Sequence, residues 1–413
     1  MITETKDLSK CYGCFACANI CPKNCITLKQ DEEGFFMPHV DTQTCINCGV
    51  CDKVCIIDKK QKQYLPIHKK PKCIYGYYSN DIQRKKSASG GLSYALSEFI
   101  ISNGGVVFGV VGKWFEDVHH VKVDSLRGLE EISGSKNIQS RVGEAYREVK
   151  KELKRGRQVL FTGTPCQVAA LYSYLEKDYE NLYTADLVCH GVPSQKVLKS
   201  YISQLENEKG QKIVKFGRDE TFQYLPVQYI AWFEDGTYQE IMPEDSYYRK
   251  GFLSNLFQRK SCAQCKFSKF PRIADVSMGD VMFSVDTPQS ELDPHNLGVS
   301  LGTVNSIKGE TLLTKISPNF VSYPLDTETA ATYNRWLSHG IENNKLRQEF
   351  FDQYLSKGFS SCEQIIQQSY DDMHKRYALE GKMYRIKLLF KPIVLTKKII
   401  KKLRKMVYVN GTN

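Results

Sequence analysis

The chain has 413 residues, 41% of them hydrophobic and 25% charged, a composition that excludes wholesale disorder and fits a folded protein of about two or three domains. Its net charge is +11, but ten cations and no acid lie between Lys382 and Lys405; without them the rest carries only +1, which argues against nucleic acid as a partner. Nine of the fifteen cysteines fall within the first 55 residues, and the opening MITETKDLSK has no apolar signal-like stretch, so the expected setting is a reducing cytoplasm where clustered thiols bind metal rather than form disulfides.

Residues 11 to 22 read CYGCFACANICP, a C-x2-C-x2-C-x3-C-P run, and residues 45 to 55 repeat the cysteine spacing as CINCGVCDKVC. Three thiolates at every third residue wrap a cubane, and the fourth, a helical turn further on, reaches the other one. This predicts one 4Fe–4S cluster on Cys11, Cys14, Cys17 and Cys55 and a second on Cys45, Cys48, Cys51 and Cys21. Two zinc sites are the competing reading, but zinc favours two separated pairs of ligands, and each run here supplies three close thiols and then a fourth. Pro22 follows the first run as in bacterial two-cluster ferredoxins, whereas Ile56 follows the second. Between the runs, DEEGFFMPHVD reads as a hairpin turning at Gly34, and Cys25 is a spare, buried thiol. The layout is then a two-cluster domain over 1–58 and a polar, proline-containing linker over 59–72.

From residue 73 to about 330, apolar runs at Val106–Val111, Val159–Phe161 and Tyr183–Val188 read as strands. Leu92, Ala95, Leu96, Phe99 and Ile100 recur at helical spacing, as do Val142, Tyr146, Val149 and Leu153. This alternation predicts an α/β body. Ser87 to Gly91 opens a helix and suits either an anion site or an ordinary cap; Gly134 to Ser140 is a short polar loop. In Val159 to Gln167, Pro165 suits the first helical position and Cys166 sits where a helix dipole favours thiolate. Cys166, Cys189, Cys262 and Cys265 arise at loop ends; from the residues alone a third 4Fe–4S cluster, zinc, a redox dithiol and buried free thiols all stay open. His190, beside Cys189, is a candidate proton donor, set against a structural histidine bonded to its loop.

Those same segments resemble the coenzyme F-420 (deazaflavin) hydrogenase/dehydrogenase beta-subunit family, from about Ile74 to Leu313, fused to the two-cluster domain. The resembling stretches are Ser87 to Gly91, Gly134 to Ser140, Thr162 to Gln167, Cys189-His190-Gly191, and Cys262 to Cys265 followed by Asp275 and Gly279-Asp280. The resemblance implies an α/β flavoprotein body with a core 4Fe–4S cluster on Cys166, Cys189, Cys262 and Cys265, and FAD near Ser89, Gly90, Gly91, Ser135, Lys136, Gln139 and Ser140. Asn137 and Val281-Met282-Phe283 depart from the family's usual aromatics, which leaves deazaflavin itself an unsafe inference. The function expected is an iron–sulfur flavoprotein oxidoreductase passing electrons between ferredoxin-type clusters and a flavin-bound organic substrate. The alternative is a non-catalytic electron-transfer subunit of a hydrogenase or dehydrogenase complex. Implied partners are an electron donor or acceptor protein, or a reduced coenzyme, and a small-molecule substrate.

The body divides for description into 73–160 and 161–330, followed by a helical extension over 331–375 and a basic amphipathic tail over 376–413. Ile386, Leu389, Phe390, Ile393, Ile399, Ile400, Leu403 and Val407 fall at helical spacing among the cations, so the tail suits either an anionic membrane surface or a helix docked on the protein. No run reaches the roughly 18 apolar residues of a spanning helix.

Overall fold

The computed structural model describes residues 1–58, 70–113, 115–217, 229–242, 244–282, 293 and 295–379. The apolar positions of the tail from Ile386 onward lie outside these. Within the described residues no helix is long and apolar enough to cross a membrane.

The first 58 residues pair two short helices, Ala16–Ile20 and Val50–Val54, with a hairpin of β1 (Ile26–Gln30) and β2 (Phe36–Val40). Each helix starts from a left-handed residue, Phe15 at φ 65° and Gly49 at φ 70°, and ends at a capping cysteine, Cys21 and Cys55. The third thiol of each run is therefore helical and the fourth points away at the helix end, as the spacing requires. Gly34 turns the hairpin at φ +88°, and a β-carbon there would stand 2.6 Å from Lys196 Cβ. The glycine thus serves both the turn and the hairpin's close seat on the body.

The strands that follow are β3 (Lys72–Tyr78), β4 (Val106–Val111), β5 (His119–Val123), β6 (Val159–Gly163), β7 (Leu182–Leu187), β8 (Ile213–Gly217), β9 (Tyr229–Phe233), β10 (Tyr238–Ile241), β11 (Val276–Asp280), β12 (Ser300–Val304) and β13 (Phe320–Leu325). Eight of them form one mixed sheet in the order β13-β3-β12-β11-β7-β6-β4-β5, and β10-β9-β8 form a separate antiparallel sheet. The centre, β11-β7-β6-β4, is parallel, and the flanking pairs are antiparallel. Of the parallel strands, β4 and the start of β6 are apolar runs, covered on both faces; β13, at an edge, accommodates Pro324. The expected boundary at 160/161 falls inside β6, so both portions build a single sheet.

One face of that sheet packs against the helices Leu92–Ser102 and Ile307–Ile316, the other against Ala145–Lys154 and Pro165–Leu175. Every residue of Pro165–Leu175 is buried, because the two-cluster domain covers its outer side with Ala16, Val54 and Ile56. Helices apolar all round need such cover. Ser173 completes the seat, its hydroxyl donating to Val54 O at 2.7 Å. A separate core joins the helix Gln195–Lys209 and the small sheet to Phe350, Phe351, Tyr354, Phe359 and Ile366. The 331–375 extension is thus a structural part of the body, closed on the N-terminal hairpin by a two-pronged ion pair between Arg347 and Glu33.

Candidate functional site

Cys11, Cys14, Cys17 and Cys55 come together as one group, Cys17 and Cys55 buried and Cys11 and Cys14 half-buried. Burial, and then Cys17, Cys11 and Cys55, push the Cys14 thiol well above its ordinary range. Burial, Cys11 and Cys55 raise Cys17 in the same way. Burial chiefly pushes Cys55 up to about 11, with Cys11 adding to it. In the second group, Cys21, Cys45 and Cys51 pack with Ile2 and Val40, while Cys48 is exposed at the surface. Cys25 is buried as expected, but lies inside this group, its sulfur 3.3 Å from that of Cys21.

The third group forms where three chain segments meet. Thr164 caps the helix Pro165–Leu175 through a reciprocal box with Gln167, and Pro165 takes the first helical turn as predicted. Cys166 follows, with the Thr164 hydroxyl 3.2 Å from its sulfur. Cys189 lies just past β7, while Cys262 and Cys265 sit in and at the end of a single 3₁₀ turn, Lys260–Gln264. Burial, then Cys262, Cys166 and Cys265, hold the Cys189 thiol far above its usual range. Burial and Cys265 likewise push Cys166 and Cys262 up to about 12. At the helix start, desolvation and the neighbouring thiols thus oppose the thiolate that the helix dipole favours at Cys166.

A buried frame holds this group. Arg272 donates to Asp186 Oδ1 at 3.1 Å, Leu187 O at 2.8 Å, Ser277 Oγ at 2.9 Å and Leu337 O at 3.4 Å. Asp275 accepts from Thr184 N at 2.8 Å and from the Thr184 and Ser306 hydroxyls, an orienting role. Among the described residues no three His, Cys, Asp or Glu side chains are close enough to hold a single metal ion.

The first and third groups lie side by side. Tyr12, between Cys11 and Cys14, packs edge-on against Phe267 at 5.5 Å, and burial with the Cys265 and Cys166 thiols drives its phenol far up. Tyr146 shares its hydroxyl proton between Cys14 O and Gln167 O, each at 2.9 Å. Ser261 donates to Cys11 O at 2.9 Å, and the Gln139 amide to Tyr12 O at 2.8 Å and Gly13 O at 3.2 Å.

A cavity of about 320 Å³ opens at the carboxyl ends of the parallel strands, lined by Thr162 and Gly163 from β6, Leu187 from β7 and Met278 to Asp280 from β11. This is where open α/β sheets bind ligands. Ser89, Gly91, Ser135, Lys136 and Ser140 stand on its wall; Gly90 and Gln139 do not. Gly90 packs under the sheet, where a β-carbon would lie 2.4 Å from Gly76 O and Ser300 N. Gln139 faces the two-cluster domain instead. His190 lines the cavity with its ring 4.0 Å from that of Trp336 and Nε2 3.0 Å from Asn255 Oδ1. Burial lowers its pKa to about 4, so it is neutral at pH 7 and holds no imidazolium proton to donate. Trp336 was not among the sequence candidates; it comes from the extension and supplies an aromatic wall where Val281-Met282 lack one.

Residues 156–322 match the family model for the C-terminal part of the coenzyme F420 hydrogenase/dehydrogenase beta subunit, and residues 10–58 match a 4Fe-4S dicluster domain. Among solved structures, a chain of the F420-reducing NiFe hydrogenase complex from Methanosarcina barkeri is similar at 18% identity, over 73% of this chain and 94% of that one, with a TM-score of 0.45. No curated protein matches the chain.

Proposed function

We propose, for a chain that joins a 4Fe-4S dicluster domain to a body of the coenzyme F420 hydrogenase/dehydrogenase beta-subunit family, that it is the iron–sulfur electron-transfer subunit of a hydrogenase- or dehydrogenase-type oxidoreductase complex. The observation that carries this reading is the adjacency of two largely shielded thiol groups, with Tyr12 and Tyr146 lying against both. The residues fit clusters. In each group the ionisation of three thiols, Cys14, Cys17 and Cys55 or Cys166, Cys189 and Cys262, is opposed by burial and by neighbouring thiols, so such a quartet deprotonates together only around a multivalent cation. Zinc favours two separated pairs of ligands, whereas each N-terminal run supplies three close thiols and then a fourth.

Cys11, Cys14, Cys17 and Cys55 would hold one cluster, Cys45, Cys48, Cys51 and Cys21 a second, and Cys166, Cys189, Cys262 and Cys265 a third. Bound there, 4Fe–4S clusters supply one-electron redox chemistry at potentials set by exposure and hydrogen bonding. The chain's own part is to shield the first and third groups, with Cys17, Cys55, Cys166 and Cys262 buried, and to leave Cys48 at the surface for a protein partner. The experiment is anaerobic reconstitution followed by reduction with dithionite. Spectroscopic signals of three 4Fe–4S centres support the reading, and protein that stays colourless with iron and sulfide supplied refutes it.

The cavity favours a second reading, a flavin-bearing oxidoreductase. Its volume suits a small planar group. Ser89, Ser135, Lys136 and Ser140 line it together with the apolar Leu129, Ile132, Met282 and Trp336. FAD bound here would add two-electron chemistry next to one-electron centres. Adding FAD to the apoprotein decides: quenching of flavin fluorescence that weakens in Lys136→Ala and Trp336→Ala supports it, and no quenching leaves the carrier.

A further inference from the structure

Arg259 is a cation in an unusual place. Its side chain is almost wholly buried, and among the described residues no carboxylate pairs with it. Glu33, on the neighbouring hairpin, is taken up by Arg347 and Lys260. The guanidinium lies on the Phe35 ring at 5.0 Å and donates from Nη1 to Cys11 O at 3.3 Å and Phe36 O at 3.2 Å, and from Nη2 to Gln139 Oε1 at 2.8 Å. Nε is buried without a hydrogen-bond partner. Gly13, in the loop of the first thiol group, makes room for it: a β-carbon there would stand 2.7 Å from Nη2. At its other end Arg259 caps the 3₁₀ turn that carries Cys262, whose N–H donates to Arg259 O at 3.0 Å. A buried charge needs an opposite charge. On one side of this one stands the first thiol group, through Cys11 O, and on the other the core thiols, through the turn that carries Cys262.

We propose that Arg259 is a counter-charge shared by the first ferredoxin-type cluster and the core cluster, and that it stabilises the reduced form of both. The proposal rests on the reading that the two groups hold 4Fe–4S clusters. Each added electron makes a cluster more negative, and a cation fixed where solvent cannot screen it favours that state. The cluster on Cys45, Cys48, Cys51 and Cys21 has no part in these contacts and serves as an internal control.

The test uses the full chain reconstituted anaerobically, with iron and acid-labile sulfide counted before each dithionite titration is followed by electron paramagnetic resonance. In Arg259→Gln the reduced-to-oxidised ratio at the wild-type midpoint should fall about tenfold for the first and core clusters, equivalent to about 59 mV for a one-electron centre. The control cluster should move less, and Arg259→Lys should stay near wild type. Gln139→Glu offers a second route, setting a carboxylate against Nη2 without removing the arginine, and should lower the same two midpoints. Unmoved midpoints at full cluster content in either Arg259→Gln or Gln139→Glu, or equal shifts of all three clusters, overturn the proposal. A wild-type chain that takes up iron for two clusters only removes the core cluster and the shared role with it, and the iron count tells that failure apart from an electrostatic one.

Discussion

Replacing Arg272 by Met should cost the body more stability than most single changes to it. Arg272 and Asp186 are both fully buried, and burial already raises the Asp186 carboxyl despite the arginine beside it. Removing one member of a buried pair costs about 3–5 kcal/mol, because the survivor loses its compensation. Adding up Arg272's four hydrogen bonds at about 1.5–3 kcal/mol each would give more. Asp186 caps the loss, however, by taking up a proton once the guanidinium is gone. The expected loss is then about 3–5 kcal/mol, a large share of the roughly 5–15 kcal/mol of a typical native state. The damage should also be local, because Arg272 ties Leu187 O, at the root of the Cys189 loop, to Leu337 O. Anaerobic urea unfolding of Arg272→Met, Asp186→Leu and the double variant measures the cycle, and iron content of each reports the site. The account predicts that the double variant is more stable than Arg272→Met alone, and that Arg272→Met loses core iron while keeping the N-terminal clusters. An Arg272→Met variant within about 0.5 kcal/mol of wild type, as at an ordinary surface position, refutes the reasoning.

His120 and His190 are both held near pKa 4 by burial, against about 6.5 unfolded. Groups with depressed folded values stabilise above the unfolded pKa and lose that contribution as pH falls to the folded one. Each histidine should therefore cost up to about 3 kcal/mol between pH 6.5 and pH 4, with a flat region above pH 7; a His120→Gln variant with the wild-type pH slope contradicts this. Arg347→Met breaks the two-pronged pair with Glu33 and should loosen the hairpin, seen as faster hydrogen exchange at residues 31–36 with the helix Pro165–Leu175 unchanged. Thr164→Val and Ser268→Ala each remove a hydroxyl next to a core sulfur, at 3.2 Å and 3.3 Å, and should lower the core midpoint without moving the other two. Redox titration followed by electron paramagnetic resonance checks the direction, and a rise in either variant counts against it.

Much of the fold was legible because its signals are local. The runs at Val106, Val159 and Tyr183 are strands within a residue or so of their expected bounds, and Pro165 starts its helix where the residue type favours it. The two thiol runs carry their own geometry, since a left-handed residue, one helical turn and a capping cysteine are all short-range. The small sheet β8-β9-β10 was not foreseen, its strands being short and two of them, β8 and β10, of mixed polarity. Burial was harder still to read. The helix start at Cys166 looked like a thiolate site until three other thiols were placed around it. Gly90 looked like part of an anion cradle but is small so that β3 and β12 can approach, and Gln139 looked like a cavity residue but bonds the N-terminal loop. Arg259, Tyr146 and Trp336 carry no local signature, because their meaning depends on segments more than a hundred residues apart meeting at one point.

The most direct test is a count of iron and acid-labile sulfide per chain after anaerobic reconstitution, with Mössbauer spectra to fix the cluster type. Three thiol quartets predict about twelve irons, all in 4Fe–4S form, falling to about eight when Cys189 and Cys262 are both changed to Ser. A wild-type chain that stops at about eight, with no further iron lost in that double variant, would contradict the core centre, and zinc in place of iron would contradict all three.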